Sequence, residues 1–227
     1  MKKIASLLFL FLISGCLNSN WIPLSKEAAQ FPATATVTKD SYTRSKASKG
    51  VVIVGVNWGR KWSCGGFENA QLTSIGFDNL AKLSSENTLP PTLVMNTPSM
   101  IYVDNREFIN YAFLVDPGVY AISNIQIKAA KSIKEIGFIN TIKNQLIENN
   151  NPKGGTFTVS PNEVVYIGNF WLDCYYQPML WRYYQMSTVF DEFAKEYPFL
   201  PLKNVKYDLF KTDVYGNGFD NDYKPKK

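Results

Sequence analysis

Hydrophobic and polar positions divide the chain into stretches of different period. "IASLLFLFLISG" (4–15) is almost continuously apolar behind Met1, Lys2 and Lys3. A dozen residues is short of the roughly 20 that a membrane-spanning helix needs. Residues 17–50 turn polar, rich in Lys, Ser, Thr and Ala, and "TRSKASKG" (43–50) reads as a linker. "VVIVGVNWGRKW" (51–62) is β-branched and aromatic, a strand by composition. "SSENTLPPT" (84–92) is a loop broken by Pro90-Pro91. Residues 100–129 read as three strands with two turns, "DNRE" and then Asp116-Pro117-Gly118. In the second turn Pro117 fixes φ and Gly118 accepts a positive one.

The stretch 131–150 pulls two ways. Ser132 and Glu135 have the spacing of a helix capping box, and Ile133, Ile136, Ile139, Ile142 and Leu146 fall near helical spacing. Gly137 and the β-branched content argue for a strand. The capping pattern tips the expectation to a helical or irregular excursion. "NNNPKGG" (149–155) is a loop, and "GTFTVSPNEVVYIGNFWLDC" (155–174) reads as a hairpin around "SPNE". "STVFDEFAKEYP" (187–198) opens with a capping residue, puts Val189, Phe190, Phe193 and Tyr197 on one face, and stops at Pro198. The sum is a mainly β chain: a single antiparallel β-sandwich domain over 51–210 with a C-terminal helix and the excursion at 131–150. Residues 211–227 read as a mobile tail.

The N-terminus carries the expectation about compartment. A positive start, a short apolar run and a small-residue step describe a secretory signal over 1–15. Its end, "LISGC", resembles the lipobox of bacterial lipoproteins. That resemblance implies cleavage before Cys16, diacylation of its sulfur, and a lipidated tether over 16–50. The residue after the cysteine is Leu17 rather than Asp, which in the Gram-negative lipoproteins it resembles implies the outer membrane, facing the periplasm or the cell surface. The membrane, through the N-terminal lipid, is then the first partner, and an envelope protein the second. Of 24 basic residues the signal removes Lys2 and Lys3, so about +3 remains against 19 acidic ones. The basic residues are scattered, and nucleic acid is not an expected partner.

Once Cys16 is used by the anchor, Cys64 and Cys174 remain of the three cysteines. An even thiol count in an oxidising envelope points to a Cys64–Cys174 disulfide. It would tie the "NWGRKW" strand to the "YIGNFWLD" strand.

Further along, Pro117-Gly118, the strand bearing Tyr120, the turn from Pro161 to Glu163, the Tyr166–Gly168 strand and Tyr197-Pro198 form a pattern. It is similar to a loose group of uncharacterised bacterial lipoproteins with prealbumin-like (transthyretin-like) sandwiches. The resemblance implies that fold and brings no catalytic residues. Asn162 stands where the group's turn often carries glycine.

Candidate chemistry is sparse. The chain has no histidine, which excludes a Ser-His-Asp triad, a Cys-His pair and imidazole metal ligands. Ser-x-x-Lys, a Walker loop and GxGxxG are missing too. "DVYGNGFDNDYK" (213–224) fails the calcium-loop pattern, because Tyr215 and Lys224 stand where ligands belong. No catalytic residue, metal or cofactor is expected. Asp173, beside Cys174, and Glu163, in a tight turn, are the carboxylates considered and set aside. The candidate recognition residues are the aromatics Trp171, Tyr175, Tyr176, Trp181, Tyr183 and Tyr184, rings that stack on sugars or anchor an interface. The function expected is non-enzymatic binding or assembly in the envelope. The alternatives are a glycan hydrolase with paired carboxylates and a carrier of small apolar ligands.

Overall fold

The computed structural model describes residues 22–28, 31–84, 86, 89–98, 108–174, 178–183 and 189–208, with 179, 181–183 and 189 described as backbone. The stretch expected as a signal, Cys16 and the stretch expected as a tail lie outside these residues, as do Tyr175, Tyr176 and Tyr184. In chain order the elements begin with α1 (Lys39–Ser45), β1 (Gly50–Val56), β2 (Lys61–Cys64), β3 (Phe67–Asn79), β4 (Leu93–Asn96) and β5 (Ile109–Val115). There follow β6 (Gly118–Ser132), β7 (Glu135–Thr141), α2 (Lys143–Leu146), β8 (Ile147–Glu148), β9 (Asn151–Pro152) and β10 (Thr156–Val159). The last are β11 (Val164–Asp173), β12 (Met179–Tyr183), α3 (Val189–Glu196) and β13 (Lys206–Tyr207).

Two sheets face each other, as a mainly β sandwich requires. One is built on the long antiparallel pair β3–β6, with β2 and β4 along the free edge of β3 and β7 and β10 along that of β6. The other runs β12–β11–β1–β5, with β13 also on β11. It is mixed, because β1 and β11 pair in parallel. The space between the sheets is filled by rings: Phe77 lies 5.6 Å from Phe157 and 6.0 Å from Phe170, and Tyr120 stacks on Phe157 at 5.4 Å. All four are essentially inaccessible to water, and each such ring contributes about 1.5–3 kcal/mol by burial. A second apolar layer lies on the outer face of the mixed sheet. There Val51, Ile53, Ala112, Val164 and Tyr166 pack against Tyr42 of α1, Phe193 of α3 and Leu200. The late helix forms where its apolar spacing predicts, and its Phe193 is fully buried.

Three expectations change. First, 131–150 is mostly extended: β6 runs to Ser132, β7 pairs back along it, and only Lys143–Leu146 is helical. Ser132 does cap, but it caps a turn, its Oγ accepting from the N–H groups of Lys134 and Glu135. Ile133 and Ile136 face solvent, so the helical spacing was not an apolar face. Second, the two sharp turns do not close hairpins. Asp116–Gly118 carries the chain from β5 in one sheet to β6 in the other, and Ser160–Glu163 carries it from β10 to β11. The first corner is pinned where the Tyr120 hydroxyl donates to Asp116 O (2.7 Å). The second is held by Asn162 in the left-handed region (φ 59°), its N–H donating to Lys49 O. Asn tolerates that conformation almost as glycine does.

Third, the described part of 16–50 is built into the domain. Ser25 exchanges backbone hydrogen bonds with Phe138 on the edge of β7. Thr34 bonds Val94 of β4, and Val37 donates to Ala112 of β5. This segment thus closes one side of the sandwich, and α1 then lays Tyr42 on the second apolar layer. Thr38 caps α1 through Ser41 N–H, with Ser41 answering to Thr38 N–H. A polar composition hid this packing, because the strap is held largely through its backbone, with Thr34 Oγ1 and the buried Val37 side chain adding to it.

Candidate functional site

At one end of the sandwich β1 and β11 finish, β3 begins, and β6 turns into β7. The two cysteines meet here, with their sulfurs 2.00 Å and their Cα atoms 4.5 Å apart. They join the end of β2 to the residue after β11, one sheet to the other. The "NWGRKW" segment expected beside the "YIGNFWLD" strand meets it only at its start, where Asn57 N–H donates to Phe170 O. Residues 57–60 are not strand, and β2 belongs to the opposite sheet; β11 instead neighbours β1 directly, Gly55 pairing with Asn169 and Val56 with Phe170.

Beside the bridge the segment 57–60 forms a rigid corner. Asn57 N–H donates to Phe170 O, and Asn57 Oδ1 accepts from Gly59 N–H. Trp58, fully buried, donates from Nε1 to the Tyr111 hydroxyl at 2.8 Å with the rings edge to face. Burial pushes the Tyr111 phenol up to about 12, against the Trp58 hydrogen bond.

On the other face of the same strands lies a polar cluster that sequence reasoning missed. β11 carries a bulge: Ile53 pairs with Tyr166 and Gly55 with Asn169, so three steps on β11 match two on β1. Gly168 takes φ 100° there. The bulge resets the alternation. Val165, Ile167, Phe170 and Leu172 all point into the core, and Asn169 joins Tyr166 on the opposite face, where the Tyr166 hydroxyl donates to Asn169 Oδ1 (3.1 Å). A Cβ on Gly55 would collide with that same oxygen, so glycine is required for the close approach. Asn110 of β5 completes the cluster. Asn110 and Asn169 are buried, and Asn110 Oδ1 and Asn169 Nδ2 have no hydrogen-bond partner among the described residues.

Glu196, at the end of α3, borders this cluster. Although the residue as a whole is exposed, its carboxyl is raised above the usual range, first by burial and then by Glu192 one turn earlier, against a hydrogen bond from Asn110. Nothing in the local sequence marks Glu192 and Glu196 apart from their helical spacing.

The expected site residues distribute as follows. Trp171 is half-buried on the face of Asn169, its ring 6.4 Å from Phe108. Register places Trp181 opposite Trp171 and Tyr183 opposite Asn169. Asp173 is half-buried at the end of β11. Glu163 serves its turn, Oε2 accepting from Ser160 N–H at 2.9 Å. A separate buried ion pair, Lys143 with Asp78 at 3.2 Å, ties α2 to β3. Asp78 Oδ1 also accepts from Thr92 N–H and Oγ1, so the pair is built into the framework. Among the described residues no cluster of acidic or sulfur side chains is placed to hold a metal, and no helix is long and apolar enough to cross a membrane.

Comparison with protein-family models, with curated proteins and with solved structures finds no match.

Proposed function

We propose that the chain is a lipid-anchored envelope protein that works by binding or by supporting an assembly, with the membrane as its first partner. The observation that carries this reading is how few residues separate Cys16 from a segment packed on the sandwich. Leu24 and Ser25 already pack on Gly137 and Phe138 of β7, nine residues after Cys16 of the lipobox-like "LISGC". A lipid there would keep the domain within about 30 Å of a bilayer, the most that nine residues extend. The prealbumin-like resemblance accords with a two-sheet body and rests on its motifs. Mass spectrometry of the mature N-terminal peptide tests the anchor: an acylated Cys16 is expected, and an intact Met1 or a free Cys16 thiol overturns it. Crosslinking of the native protein in its own envelope then tests for a partner.

One observation favours glycan hydrolysis as a second reading. Glu192 and Glu196 are neighbouring carboxylates, one of them raised, beside amides with unsatisfied polar atoms. Turnover of an envelope polymer that is lost in Glu196→Gln would promote this reading.

A further inference from the structure

We propose that the corner formed by β2 and the β6–β7 turn docks on the phospholipid headgroup layer of the membrane carrying the anchor, with a preference for anionic lipid. The inference rests on the lipid anchor proposed above. Trp62 (65% exposed), Ile133 (90%) and Ile136 (52%) are three of the six most exposed large hydrophobic side chains among the described residues. Buried surface does not explain them. They share one corner: Trp62 pairs with Asn69, Asn69 with Ala130, and Ala130 with Ile136, a single row across four strands. Trp62 and Ile136 are therefore about 14 Å apart, three strand spacings. Ile133 stands at the tip of the adjoining turn.

Cations frame these side chains. Arg60 lies over the Trp62 ring at 5.9 Å. Lys128, two residues before Ala130, and Lys134, beside Ile133, are exposed. Lys131 is offset by Glu135 at 2.9 Å. Exposed aliphatic and indole groups ringed by Arg and Lys suit the boundary between headgroups and acyl chains. Basic side chains there favour anionic lipid.

The anchor reaches the same corner. Ser25 pairs with Phe138, five residues along β7 and its turn from Ile133. The tip is then about 17 Å from the pairing point at strand rise, and the leash from Ser25 to Cys16 spans up to about 30 Å. A lipid on Cys16 therefore lies within range of the plane that Ile133 would touch.

The test uses the mature chain from Cys16 with its disulfide intact. The Cys16 thiol is coupled to a maleimide phospholipid in phosphatidylglycerol-containing vesicles, so the result does not depend on acylation in the cell. Hydrogen–deuterium exchange is compared with the uncoupled chain. Peptides spanning 60–66 and 131–138 are expected to slow on coupling, and 200–207, at the other end of the sandwich, to stay unchanged. Trp62→Ala with Ile133→Ser and Ile136→Ser should abolish the protection. Lys128→Gln with Lys134→Gln should lower the docking equilibrium about 30-fold. Equal exchange in the coupled and uncoupled chains, or protection confined to 200–207, overturns the proposal. Equal protection on pure phosphatidylcholine overturns the preference for anionic lipid. Failure of lipidation in the cell would instead show in the N-terminal mass and leave this measurement unchanged.

Discussion

The Tyr166 hydroxyl donates to Asn169 Oδ1 at 3.1 Å across a β-bulge, two residues that strict alternation would put on opposite faces. The bulge exists because Gly168 takes φ 100°, a conformation that a side chain resists. One extra residue thus carries the strand from one set of inward positions to another. It also leaves a polar group under the helical layer, where buried amides set the local chemistry.

Gly168→Ala is expected to cost about 1–3 kcal/mol through backbone strain. Tyr166→Phe removes the donor to a buried oxygen, and about 1–3 kcal/mol is expected. Urea denaturation of each variant measures both. A Gly168→Ala midpoint equal to the parent's would mean that the strand does not depend on the bulge.

The Lys143–Asp78 pair is withdrawn from water on both sides, its side chains 8% and 6% exposed. Breaking such a pair leaves one charge buried alone, so Lys143→Met should destabilise by about 3–5 kcal/mol. Replacing both partners, Asp78→Asn with Lys143→Met, should recover part of that loss. The charge is then gone, and the amide oxygen can still accept from Thr92. A double-mutant cycle gives the coupling; additive single effects would rule out the pair as a unit.

Elements whose signal is local were legible in the chain: β-branched runs, the turn residues, the face of α3, and the thiol count behind Cys64 and Cys174. Pairing was not. Asp116–Gly118 and Ser160–Glu163 carry sound turn residues, yet each turns a corner between sheets, and local composition does not distinguish a corner from a hairpin. The helical spacing at 133–146 failed for a related reason. Ile133 and Ile136 face solvent while Ile139 and Leu146 are buried in the core, so the spacing joins residues that do not share one face. The polar cluster was hidden because Asn169 sits in a run that reads as apolar core, and only the bulge at Gly168 turns it outward. The strap over 31–37 was hidden because it is held largely by backbone groups. The aromatics of 171–184 stay candidates from the sequence, and of the six only Trp171 has its side chain among the described residues.

Cys64 and Cys174 close a loop with a sequence separation of 110. In the chain-entropy model a loop of this length contributes about 4–5 kcal/mol, by restricting the unfolded chain. Alkylation of the native protein, denatured but not reduced, should leave both sulfurs unlabelled. Cys64→Ala with Cys174→Ala should lower the urea midpoint by a corresponding amount. Free labelling of both cysteines would remove the bridge from the native molecule, and a double variant as stable as the parent would show that packing alone holds the two sheets at this end.

Glu196 supplies a pH dependence whose sign is opposite to that of an ordinary ion-paired carboxylate. Burial first, and the Glu192 charge second, raise its folded value above the ordinary 4.5. The folded state therefore holds the proton more tightly than the unfolded chain. The stability linked to this group is fully present below 4.5 and is lost as the pH rises through the raised folded value. At neutral pH the ionised carboxylate is a burden on the fold, so Glu196→Gln should be more stable than the parent there and should flatten this part of the pH profile. Glu192→Gln removes the neighbouring charge and should move the Glu196 titration back toward its ordinary value. Carbon-detected NMR titration of the Glu side chains, with urea midpoints across the same pH range, reads both effects. A Glu196 carboxyl titrating at or below 4.5 would show that it is solvated, and with it would go the observation that favours a carboxylate catalyst.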